Sequence, residues 1–525
     1  MAPVQLDSNL LLSVVVFVVS YSCLVVVRCL WSGRKDDGRV LPPSPPPLPI
    51  IGNLHQLGRN HLHRRLLELA RRHGPLFLLR LGSVPTLVVS SASVAEEVLR
   101  TQDHVFCGRP QQHTARGLLY DCRDVAFAPY GERWRHLRRV AVQLLLSAKR
   151  VDSFRALRER EVASLVQRIR AAGATHGGSG KRPGVVNVSE LLVSLTYTVI
   201  SKAAFGNKLG GMEPGAVRAM MKETSELLET IAVSDVFPRL RWVDRATGLD
   251  ARIARTARKL DAVLEGALQE HEKGSGGNYG GEADADVDLL DDVLSAVKEG
   301  GARLNLDRTD AKGLIMDLFL GGTDTTYKTM EWTMVELVKN PSEMERVQAE
   351  VRQVVGQHGS AAAVVTEERL RAMTRLQAAM KEALRLHPPV PLLVPHEVVR
   401  DTKLRGYDVP AKTRVLVNAW AIGRDDECWE DAGAFRPERF LHNAAALDYS
   451  GKDFRFIPFG AGRRGCPGIG FATRLAELAL ANMLCHFDWE LPDGQDADSF
   501  QVVESSGISP GLVCPLTLVA KPFEA

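Results

Sequence analysis

Along most of the chain, apolar residues recur every three to four positions, the spacing that gathers them on one face of a helix. The pattern predicts helices over 134–146, 154–170, 187–204, 216–233, 250–272, 308–338, 342–355 and 367–386. Strict alternation is scarce, and short apolar runs predict strands only at Leu76–Leu81 and 86–89. Glycine-rich loops at 173–184 and 274–281 separate helices. The acidic run of Asp284, Asp286, Asp288, Asp291 and Asp292 reads as a solvated loop and helix start. No repeat and no second domain boundary follow residue 50. The expected architecture is one large domain over 51–525, mainly α with a small β-rich part.

The N-terminus departs from this pattern. Residues 10–27 are apolar except for Ser13, Ser20, Tyr21 and Ser22. As a helix the run reaches about 27 Å, close to the thickness of a bilayer core. Asp7 precedes it, and Arg28, Arg34, Lys35 and Arg39 follow. That charge excess keeps the C-terminal side cytosolic. A cleaved signal peptide fits poorly, because a basic leader and a clear small-residue cleavage site are missing. Residues 1–30 are therefore expected to be a single transmembrane anchor. Residues 31–50 follow as a basic, proline-rich hinge, stiffened by Leu41-Pro42-Pro43-Ser44-Pro45-Pro46-Pro47-Leu48-Pro49. The sequon Asn187-Val188-Ser189 would lie in the cytosol, away from glycosylation.

Composition narrows the class. The 525 residues are 45% hydrophobic and 25% charged, ample for a large core. A net charge of +3 is too balanced for a nucleic-acid partner. The eight cysteines show no Cys-x-x-Cys pair or zinc spacing, which points to a reducing compartment.

Chemistry enters at Pro458-Phe459-Gly460-Ala461-Gly462-Arg463-Arg464-Gly465-Cys466-Pro467-Gly468. Chance would place Phe-x-x-Gly-x-Arg-x-Cys-x-Gly in about one chain in ten thousand of this length, so it outweighs the motifs below. The run reads as a thiolate cradle for a haem iron. A thiolate ligand needs N–H donors and positive potential around it, and glycines let the backbone approach the sulfur. Pro467 suits the first turn of a following helix, whose positive end would face Cys466. The same residues also spell Gly-x-Gly-x-x-Gly over 460–465. With strand-like 454–457 before, an apolar helix after and Asp488 beyond, they outline a dinucleotide-binding unit. Asp488 lies beyond the usual distance, and the chain lacks regular strand–helix alternation.

Other constellations are weaker alone. Glu382 and Arg385 share one helix face as Glu-x-x-Arg, and Phe435-Arg436-Pro437-Glu438-Arg439-Phe440 follows. Trp134 and Arg138 stand one turn apart and can face one ligand. Met316-Asp317-Leu318-Phe319-Leu320-Gly321-Gly322-Thr323-Asp324-Thr325-Thr326 is poor helix material inside an apolar helix, a sign of function.

In this order and spacing the motifs resemble cytochromes P450, and the hinge with the cysteine loop is similar to the plant microsomal A-type members. The resemblance implies the cytochrome P450 fold, with Cys466 as the ligand of haem b. Arg464, Trp134 and Arg138 would meet the propionates, His396 would either join them or be a surface residue, and Phe459 would pack on the proximal side. Asp324 and Thr325 would deliver protons for dioxygen activation. Glu382, Arg385 and Arg439 would form a buried structural network. The implied activity is a monooxygenase that inserts one oxygen atom of O2 into a lipophilic small molecule. A terpenoid, phenolic or flavonoid, indole, oxime or fatty acid would suit. Electrons would come from NADPH through NADPH–cytochrome P450 reductase, with cytochrome b5 as a further donor, at the endoplasmic reticulum membrane. Arg135, Arg139 and Arg463 would contribute to the reductase-facing surface. The pocket would be lined from 109–125, 205–237, 319–325, 390–394 and 505–508. The alternatives are an isomerase or dehydratase on the same fold, a haem-binding membrane protein without turnover, and the dinucleotide-dependent dehydrogenase.

Overall fold

The computed structural model describes residues 16–17, 20–21, 38–58, 60–174, 184–206, 214–274, 288–304, 306–356, 364–442 and 447–523. Of the expected anchor, Val16, Phe17, Ser20 and Tyr21 are helical and exposed. The rest of that run lies outside the described residues, as do most of the two glycine-rich loops.

Six helices position the site: α1 (Glu132–Arg139), α2 (Arg155–Ala174), α3 (Val188–Phe205), α4 (Arg308–Lys339), α5 (Thr374–Leu386) and α6 (Ile469–His486). Helix α4 runs between α3, α5 and α6, and its 32 residues reach about 48 Å. A capping box of Asp307 and Asp310 starts it. Apolar residues occupy every side of α4, as expected of a helix buried all round. Its polar side chains find partners: Lys328 Nζ donates to Ser509 O at 2.6 Å, and Glu336 lies 2.7 Å from His387 Nε2. Among the described residues only α3 is long and apolar enough to cross a membrane, and 61% of it is buried as a core helix. The main core lies among α2, α3, α4 and α6.

The strands are β1 (Leu76–Leu81), β2 (Val84–Val89), β3 (Val185–Asn187), β4 (His396–Glu397), β5 (Thr402–Leu404), β6 (Tyr407–Val409), β7 (Arg414–Val417), β8 (Phe487–Glu490) and β9 (Thr517–Pro522). The main sheet has the order β1-β2-β7-β4, with β2 and β7 parallel. Gly82 turns the β1–β2 hairpin at φ 61°, where an added Cβ would lie 2.5 Å from Val236 O.

Four expectations change. The helix expected over 134–146 is α1 to Arg139 and then a wider π turn, Val140–Leu145. The helix expected over 367–386 is a 3-10 turn, Glu367–Ala372, broken at Met373 before α5. Residues 454–457 form no strand, because the Asp453 carboxylate captures the Arg455 amide and guanidinium in a local turn. Asp288 is buried rather than solvated. It caps the Leu289–Leu304 helix through the amides of Leu290 and Asp291, and it pairs with His271 at 2.8 Å.

Candidate active site

The cysteine loop folds through its glycines. Gly460 and Gly462 have φ near 68° and 69°, and a Cβ on Gly462 would lie 2.1 Å from Leu99 O. The Cys466 amide donates to Phe459 O at 2.9 Å, and the Gly468 amide donates to Cys466 Sγ at 3.3 Å. Helix α6 begins at Ile469, so Pro467 precedes the helix instead of opening it. The Phe459 ring meets Tyr449 edge-on with centroids 5.4 Å apart.

Cys466 opens into a cavity of about 390 Å³ between its loop and α4. The exposed part of Cys466 lines this cavity. Burial pushes the thiol up, while the Gly468 amide and the Arg138 charge pull it down. Asp324 and Thr325 line the cavity from α4. Thr325 Oγ1 donates to Gly321 O at 2.6 Å, which leaves its oxygen free to accept. The two glycines differ. A Cβ on Gly321 would meet nothing within 4 Å, whereas one on Gly322 would lie 2.7 Å from Ile200 Cδ1.

Trp134, Arg138, His396 and Arg464 also line this cavity. Arg138 Nη2 donates to Gly465 O at 2.5 Å. Arg464 donates to the carbonyls of Cys107, Val125 and Ala128, and its guanidinium lies 4.2 Å from the Trp134 ring. Trp134 Nε1 donates to Val125 O at 3.0 Å. His396 is buried on β4 with Nδ1 2.8 Å from Phe106 O, so it is no surface residue. Burial holds it well below its ordinary range, as a neutral ring.

The expected lining ranges contained Arg109, Asp124 and Glu229, but sequence reasoning gave none of them, nor Asp317, a role of its own. Arg109 is buried in the cavity wall and donates to the carbonyls of Ala126, Val394 and Pro395. Asp317 carried a signal, as an acid within an apolar helix. Arg109 carried none, because its neighbours read as an ordinary loop. The expected lining holds at Val125, Val390, Val394 and Ile508, but Phe205 and Phe319 stack on one another in the core, 5.2 Å apart.

A cytochrome P450 family model matches residues 42–510. This chain belongs to the cytochrome P450 family. It is 48% identical over 472 residues to cytochrome P450 71A1 of Persea americana, covering 90% of this chain and 91% of that one. It is 40% identical over 518 residues to strychnine-11-hydroxylase of Strychnos nux-vomica, covering 96% and 97%. A solved zebrafish cytochrome P450 with progesterone superimposes with a TM-score of 0.73 at 27% identity, covering 89% of this chain and 100% of that one. With these relatives the protein is a monooxygenase of a haem-thiolate family, and the dinucleotide reading is not favoured.

The residues present fit haem b. Three guanidiniums, buried Arg109 and half-buried Arg138 and Arg464, converge on the cavity, and among the described residues no carboxylate comes within ion-pair distance of any of them. Burial pulls all three below their ordinary range, Arg464 to about 10. An apolar ligand that carries carboxylates and offers a metal to sulfur would relieve both the charge and the thiol.

Below the cavity, Glu382 and Arg385 on α5 form the expected network. The pair is fully buried and bidentate at 2.7 Å, and Arg439 Nε joins at 3.2 Å.

Proposed function

We propose that this P450 binds haem b through Cys466 and oxidises a lipophilic small molecule in plant specialised metabolism. The carrying observation is one cavity that holds both the Cys466 sulfur and three guanidiniums lacking carboxylate partners. Bound haem supplies dioxygen activation and oxygen insertion. The protein supplies the rest. Arg138, Arg464, Trp134 and His396 surround the proposed propionate side, and Phe459 backs the sulfur loop. Thr325 Oγ1 donates its hydrogen bond to Gly321 O, so its lone pairs accept from a proton-bearing partner in the cavity. Asp324, one residue away, relays protons to it from solvent. Ile200, Ala203, Leu228, Val390 and Leu393 give the substrate side an apolar wall, with Glu229 as its acid.

Membrane attachment extends this reading. Leu48, Ile50 and Ile51 at the end of the hinge are exposed, as are Ile231, Leu240 and Trp242. The two segments meet at the β1–β2 turn, where the Gly82 amide reaches Ile51 O and the Ser83 amide reaches Val236 O. An apolar face thus lies beside the end of the hinge, and in this reading it rests on the endoplasmic reticulum membrane with the catalytic domain cytosolic. Arg135 and Arg139 are exposed on α1. With Arg463, half exposed and paired to Asp103 at 3.0 Å, they suit an acidic donor such as NADPH–cytochrome P450 reductase or cytochrome b5.

The test is the carbon monoxide difference spectrum of the reduced protein. A strongly red-shifted Soret band, absent from Cys466→Ala, supports the assignment. A histidine-like band in both proteins would overturn it.

A further inference from the structure

The backbone of residues 124–128 is engaged on both sides. Its amides face acids: Val125 N donates to Asp317 Oδ2 at 2.5 Å, and Phe127 N donates to both Asp124 oxygens at 3.2 Å. Its carbonyls hold the cavity's polar groups. Val125 O accepts from Trp134 Nε1 and Arg464 Nη1, Ala126 O from Arg109 Nε, and Ala128 O from Arg464 Nη2. The segment therefore links α4 to the guanidiniums assigned above to the propionates.

The same segment is strapped to α4 over three turns. Arg123 pairs with Asp307 and Asp310. Gly313 approaches so closely that an added Cβ would lie 2.2 Å from Arg123 O. Asp317 stands one turn further on. Just before the segment, Tyr120, Asp121 and Cys122 have φ of 52°, 59° and 58°. Three successive side chains in the left-handed region persist only where surrounding contacts enforce them.

The carboxyls of Asp124 and Asp317 are in hydrogen-bond contact. Asp124 is fully buried, and the accessible part of Asp317 is cavity wall. Two carboxyls this close in a buried site cannot both ionise. Each acid takes a backbone amide, Phe127 on Asp124 and Val125 on Asp317, and the field of Arg464 makes Asp124 the better anion. Burial pushes Asp124 up to about 6 and, joined by the Asp124 charge, carries Asp317 well above the carboxylate range. The other groups facing the pair are Arg109, Arg138 and Cys122.

We propose that Asp124 and Asp317 share one proton, held on Asp317, and clamp the 120–128 segment to α4 so that Arg109, Arg464 and Trp134 are set for the cofactor. Both are positioning residues. The charges then balance: three guanidiniums face one charge from the acid pair and two from the propionates. That balance rests on the proposed haem site, whereas the clamp does not.

The test uses full-length protein in detergent, with Asp317→Asn and Asp317→Ala. Asparagine can donate to Asp124 and accept from Val125 N, so it mimics the protonated acid. Amide exchange of 119–131 should stay within about twofold of wild type in D317N and rise about tenfold or more in D317A. Haem transfer to excess apomyoglobin should follow the same order. The infrared spectrum at neutral pH should show a protonated carboxyl band that D317N lacks. Exchange in D317N as fast as in D317A, or no such infrared difference, would overturn the shared proton. If D317A does not fold, D317N exchange and the infrared band still decide. Failure of the thiolate spectrum in wild type would refute the haem site and leave the exchange comparison standing.

Discussion

Glu382→Gln separates charge from shape beneath the cavity. Glu382 Oε1 accepts from Arg385 Nη2 at 2.7 Å, the Arg436 amide at 2.8 Å and Arg439 Nε at 3.2 Å. Among the described residues Oε2 accepts only from Arg385 Nε, at 2.7 Å. The glutamine carbonyl will keep the crowded Oε1 position, since three donors meet there. Its NH2 then faces Arg385 Nε, donor against donor. Arg385 keeps the carbonyls of Gly423, Ala432 and Ala434 but loses its buried anion. Removing one partner from a buried pair costs about 3–5 kcal/mol. Arg439→Gln loses the 3.2 Å bond to Glu382 and a 2.9 Å bond to Asp431 O from a side chain that is 11% exposed; the second is exposed and water replaces it, so the cost is about 1 kcal/mol. Guanidinium unfolding followed by circular dichroism, with full-length protein in detergent, measures both. The E382Q cost should be several times that of R439Q. A cost below about 1 kcal/mol, or one equal to that of R439Q, would refute the claim that the network is held by desolvated charge.

Thr325→Ala should retain the haem spectrum while diverting NADPH to peroxide, and unchanged product per NADPH would remove its proton role. Gly321→Ala should gain up to about 1 kcal/mol from helix propensity and shift the substrate range by narrowing the cavity. Gly322→Ala presses on Ile200 and should cost about 1–3 kcal/mol net of that gain, recovered by Ile200→Val in a double-mutant cycle read by thermal unfolding. Glu504 is raised by burial, but hydrogen bonds from Arg64 and the charges of Arg64 and of His63, 3.5 Å away, outweigh this and hold it at about 2. It should therefore contribute about 2–3 kcal/mol above its ordinary range, lost as pH falls from roughly 4.5 toward 2. Acid unfolding of Glu504→Gln should lack that component. Deleting residues 1–40 should weaken membrane sedimentation and leave the haem spectrum intact.

The sequence by itself determined the helical class and the glycine-framed cysteine loop, and its resemblance to the family pointed to the Glu382–Arg385–Arg439 network. These signals are local in the chain. A 3.6-residue period follows from helix geometry, and a thiolate loop needs glycines within a few residues of its cysteine. The helix breaks at Met373 and Val140 were less legible, because propensity changes little where packing decides the turn. The 454–457 run showed why apolar character alone is ambiguous: Asp453 captured the backbone before a strand could form. Only the tertiary structure decided which charges meet. Arg109, Asp124, Asp317 and Arg464 are distant in sequence and ordinary one by one. Their protonation and pairing depend on shared burial and on the 124–128 backbone that joins them, and both exist only once α4, the loop and the cysteine cradle have packed together.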